Sequence, residues 1–62
     1  MKLGDPNNIK EYLGDSVYAE FDGFELALYL DNGYGPHDII FLEPQVFDAL
    51  LNYAQKIKNW RV

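Results

Sequence analysis

Apolar and polar residues alternate with a period of two along two neighbouring stretches. Over 16–21, Val17, Ala19 and Phe21 point one way and Tyr18 and Glu20 the other. Over 24–30, Phe24, Leu26, Leu28 and Leu30 alternate with Glu25, Ala27 and Tyr29. Alternation of this kind predicts half-buried strands, because successive side chains of an extended chain face opposite ways. Asp22-Gly23 lies between them and favours a two-residue type I′ turn. That turn would set Phe21 opposite Phe24, Ala19 opposite Leu26 and Val17 opposite Leu28. Glu20 would then oppose Glu25 on an outer face shared with Tyr18, Ala27 and Tyr29. Like charges in direct opposition are unfavourable, so the carboxylate pair stands out.

Residues 31–37 are too rich in Gly and Pro for a strand and predict a loop. A third strand is expected over 38–42, where Ile39-Ile40-Phe41-Leu42 supply apolar side chains to both faces. Pro44 suits a first helical position, and a helix is expected over 44–59 with Lys56, Lys58 and Arg61 near its C-terminal end. At 100° per residue its apolar side chains sweep roughly 200°, about twice the stripe that packs on one sheet face. At the other end, residues 1–8 read as a loose arm, and Asn8 three residues before Glu11 fits a capping box opening a short helical turn over 9–13. The expected fold is α+β: a three-stranded antiparallel meander (16–21, 24–30, 38–42) with the C-terminal helix packed on one face.

Length turns this pattern into a question of stability. The chain has 62 residues and no cysteine, and a single domain, 1–62, is expected. A domain of this size buries only about 60% of its unfolded surface and commonly needs a metal, a disulfide or a second chain. With one His and no Cys, a structural zinc site has no ligand set. The surplus apolar arc of the helix and the two-faced third strand point instead to a homo-oligomer, a dimer by default, with Ile40, Leu42, Phe47 and Leu51 at its interface.

Charge narrows the partners. The net charge is −5, and from Glu11 to Gln55 there are nine acidic residues and no Lys or Arg. Nucleic-acid binding rests on basic side chains that neutralise phosphates, so direct binding is not expected. No apolar run reaches the roughly 18–20 residues that span a bilayer, and no N-terminal signal segment is visible, so a cytoplasmic location is expected. Thr is absent and Ser16 is the only Ser, leaving little material for nucleophilic catalysis. The chain reads as a non-enzyme without cofactor or metal. Glu20 and Glu25 could receive a cation from a partner. Tyr18, Tyr29 and Tyr34 could anchor an interface, and His37 sits in the same loop as Tyr34.

The segment Tyr12-Leu13-Gly14-Asp15-Ser16-Val17-Tyr18-Ala19-Glu20-Phe21-Asp22-Gly23, followed by Ile40–Val46 and Leu50–Tyr53, resembles a widespread group of very small proteins encoded by phages and prophages. The resemblance covers about residues 11–57. It carries no catalytic residue, since the group has no assigned chemistry. It implies a setting in which small accessory proteins inhibit host proteins, defence factors included, inside the bacterial cytoplasm. The resulting expectation is a homo-oligomeric binding protein that engages a host protein through Tyr18, Glu20, Glu25, Tyr29, Tyr34 and His37. Two alternatives stay open: an oligomeric sponge for a signalling nucleotide, with Lys56, Lys58 and Arg61 lining pockets between subunits, and a DNA mimic.

Overall fold

The computed structural model describes residues 1–60. It is α+β, with four strands rather than three: β1 (Ile9–Gly14), β2 (Val17–Phe21), β3 (Leu26–Leu30) and β4 (His37–Leu42), followed by the helix α1 (Pro44–Trp60). The strands form one open antiparallel sheet in the order β1-β2-β3-β4. The additional strand replaces the helical turn expected over 9–13. Ile9, Glu11 and Leu13 alternate with Lys10 and Tyr12, and that alternation pairs along β2, Ile9 with Phe21 and Glu11 with Ala19. The Asn8 side chain caps no helix. It bonds instead to the Lys2 carbonyl and to Glu20.

The tight two-residue turn falls at Asp15-Ser16, ahead of β2, rather than at Asp22-Gly23. Asp15 and Ser16 both have positive φ, 51° and 67°, between the paired residues Gly14 and Val17. This is the two-residue turn whose twist matches paired strands. At Asp22-Gly23 the loop is longer. Asp22 Oδ1 accepts the N–H groups of Phe24 (2.9 Å) and Glu25 (2.8 Å), while Asp22 N–H reaches the Glu25 carbonyl at 3.3 Å. A carboxylate that captures two amides closes a local turn and competes with strand pairing. Phe21 therefore pairs with Leu26 instead of Phe24. A slip of two residues leaves every side chain on its expected face, because the strand period is two. It also removes the Glu20–Glu25 opposition, since Glu20 pairs with Ala27.

The core lies on the side expected to face solvent. Ala27, Tyr29 and Glu20 are the most buried residues described, and residues 1–8 lie against that side. The arm is hydrogen-bonded to the sheet through Gly4 and Asn8, and the terminal ammonium stands 3.9 Å from Glu25. The opposite face carries Ile9, Leu13, Ala19, Phe21, Leu26, Leu28, Ile40 and Leu42, and it is open. Helix α1 leaves β4 through the single residue Glu43 and makes its principal contact with that strand. No helical residue is buried. Trp60 at the end of the helix is 82% exposed. The one-residue connector, with the fixed φ of Pro44 directly after it, sets the helix beside the open face rather than across it.

Candidate functional sites

The six residues expected to form one contact surface fall into three places. Glu20 and Tyr29 belong to the interior. Glu20 is 1% exposed, and its carboxylate is filled: Gly4 N–H and Asn8 Nδ2 donate to Oε2 at 2.8 and 2.7 Å, and Tyr29 Oη donates to Oε1 at 2.8 Å. Burial alone would raise the Glu20 pKa. The bonds from Asn8, Tyr29 and Gly4, with the charge of Lys10, outweigh it and hold the carboxyl below its ordinary value. Burial likewise pushes the Tyr29 hydroxyl up to about 12, helped by its bond to the Glu20 carboxylate. A charge satisfied in this way is a structural latch, and neither residue can meet a partner. The expectation for these two is corrected, because an arm distant in sequence covers their face.

Tyr18 is half-buried in an aromatic row on the same face. Its ring lies 5.0 Å from that of Tyr12 and stacks at 5.7 Å and 11° on that of Tyr29, with Lys10 Nζ 5.0 Å from its centroid. Cross-strand Tyr pairs and a cation over a ring stabilise a sheet, and here they use the faces of Tyr18 that a partner would need. Glu25 stands apart, beside the N-terminus.

Tyr34 lies in the β3–β4 loop, whereas His37, expected in that loop, opens β4 and pairs with Leu30. Asp31 Oδ1 accepts the N–H groups of Gly33 (2.8 Å) and Gly35 (3.2 Å). Those glycines have φ of 99° and 108°, conformations that L side chains rarely adopt, and they flank Tyr34. The loop is thus held at its base, and it presents Tyr34 with 99% of its surface exposed. His37 Nδ1 lies 2.9 Å from Asp38 Oδ2, and both side chains are exposed.

The second candidate surface is the open face itself. Ile9, Glu11, Leu13, Ala19, Phe21, Leu26 and Leu28 of the sheet and Phe47 and Leu50 of α1 border an apolar groove of about 420 Å³. A smaller hollow next to it is lined by Val17, Leu28, Tyr29, Leu30, Asp38 and Ile40. Of the expected interface residues, Phe47 borders the groove and Ile40 the hollow, Leu42 shares their face, and Leu51 is exposed on the helix. Both hollows are apolar, with one carboxylate each and, among the described residues, no cationic liner, which disfavours an anionic nucleotide. Lys56 and Lys58 are on α1, and Arg61 lies outside the described residues. Among the described residues, no three of His, Cys, Asp or Glu are grouped to hold a metal, and no helix is long and apolar enough to cross a membrane. No family model, curated protein or solved structure matches the chain.

Proposed function

We propose that this protein acts by binding other polypeptides, as a self-associating acidic module that engages a host protein in the manner of a small phage-encoded inhibitor. The observation that carries the reading is Tyr34. A large aromatic side chain held fully exposed on a loop braced by Asp31 is already ordered, so a partner that buries it incurs little loss of loop freedom. Tyr is also among the residues that contribute most where interfaces bury them. The surrounding charge favours a basic partner surface, since the chain has no Lys or Arg from Glu11 to Gln55. The contact set contracts to Tyr34 and His37, with Asp38 beside them.

The test compares immobilised wild-type protein with a Tyr34→Ala/His37→Ala variant as baits for a bacterial lysate, with quantitative mass spectrometry of what each retains. Both side chains are exposed, so the variant should keep the wild-type circular dichroism spectrum. The reading expects at least one protein to be retained by the wild type and depleted more than about tenfold on the variant, the factor that about 1.4 kcal/mol carries. Identical retained sets would refute it.

A further inference from the structure

We infer that the open face of the sheet is the seat of helix α1 from a second copy of this chain, each helix lying in the other copy's groove about a two-fold axis. This rests on the reading of the protein as self-associating and names the surfaces involved. Area is the first argument. The single chain exposes 5074 Å², whereas a compact 7.2 kDa protein exposes about 4,100 Å². Its radius of gyration is 12.8 Å, against about 10.6 Å for a compact chain of this length. The excess, about 950 Å², matches the roughly 800 Å² that each partner contributes to a stable interface.

The surplus is located in two parts that fit each other. One is the apolar sheet face, with Ile9 and Ile40 more than half exposed. The other is α1, 17 residues long with none buried, whose Leu50 and Ile57 lie two turns apart on the middle of its apolar arc. A two-fold axis covers both in both copies with a single contact, and it closes the assembly at two. Charge agrees with this seating. At 100° per residue, Lys56 and Lys58 come to opposite margins of the arc, so a seated helix carries ammonium groups to both rims of its berth. The carboxylates bordering the two hollows, Glu11 on β1 and Asp38 on β4, stand at opposite edges of the same sheet.

The experiment combines native mass with a contact measurement. Wild-type protein should have a mass of about 14.4 kDa, twice 7.2 kDa, and a melting temperature that rises with protein concentration. In a mixture of isotopically labelled and unlabelled chains, intermolecular NOEs should connect Leu50 and Ile57 of one copy to Leu26 and Leu28 of the other. Leu50→Glu/Ile57→Glu should raise the dimer dissociation constant at least about 100-fold. The NOE measurement needs no variant and decides the matter if this one fails to fold. A dimer that lacks those NOEs, paired instead through the β1 or β4 edges, would overturn the inference and leave self-association standing. A wild-type monomer with a concentration-independent melting temperature would overturn both.

Discussion

Replacing Glu20 with Gln tests whether the buried carboxylate is the latch that holds the N-terminal arm on the sheet. The amide keeps the size of the side chain and can still accept at one oxygen from Gly4 N–H and Asn8 Nδ2. Its own NH₂ then meets Tyr29 Oη, which can rotate to accept. All three bonds survive in number and lose the charge. Hydrogen bonds to charged groups contribute about 1.5–3 kcal/mol and neutral ones about 0.5–1.5, so the gross loss is about 3 kcal/mol. Relief from burying a charge offsets part of it, leaving a net destabilisation of about 1–2 kcal/mol. Against a total of about 3–9 kcal/mol for 62 residues, that is a large fraction. The assay is urea unfolding of both proteins at one protein concentration, at neutral pH and again in acid. The Glu20 pKa is lowered on folding. Its contribution is therefore present above the unfolded-state value, near 4.5, and lost as pH falls through the lower folded-state value. The gap between wild type and variant should close over that acid window, and Gly4 N–H should exchange faster in the variant at neutral pH. A gap that is the same at neutral and acid pH would refute the charge argument and leave only packing.

Two further outcomes follow from the same geometry. Ser16→Gly places the preferred Asp-Gly pair in the type I′ turn and removes a side chain held at φ 67°, so it should stabilise the domain by about 0.5–1 kcal/mol, read as a rise in melting temperature. Tyr29 has a folded-state pKa of about 12 against 10.0 for the free side chain, so its contribution is complete below about 10 and is lost as pH rises toward 12. A urea titration across that window should show stability falling, with a shallower fall for Tyr29→Phe, and equal slopes would exclude Tyr29 as the cause.

Strands β2 and β3 and the helix were legible in the chain because their signals are local: alternation over 17–21 and 26–30, and an apolar arc opened by Pro44. The loop carrying Tyr34 was legible for the same reason, since two glycines and a proline exclude regular structure there, although His37 at its end belongs to β4. Strand β1 was hidden by coincidence. Asn8 and Glu11 have the spacing of a helix cap, and Glu11 puts a charge into the row Ile9, Glu11, Leu13 that would otherwise read as the apolar face of a strand. The Gly14-Asp15-Ser16 run just before a strand was the signal for a hairpin. The interior roles of Glu20 and Tyr29 had no local signal at all, because what covers them is Gly4 and Asn8, 16 and 12 residues before Glu20.

The order of residues by itself determined which side chains share a face. That property depends only on periods of two and 3.6 residues, and a register slip of two at Asp22 left it intact. The tertiary structure decided which face is covered. An arm that supplies one backbone and one side-chain donor to Glu20 closes the side that looked polar. A one-residue connector leaves the apolar side and the helix beside it open. Covering a face is a contact between distant segments, and it turns on where a chain can reach and which hydrogen bonds it meets there, neither of which the alternation along a strand records.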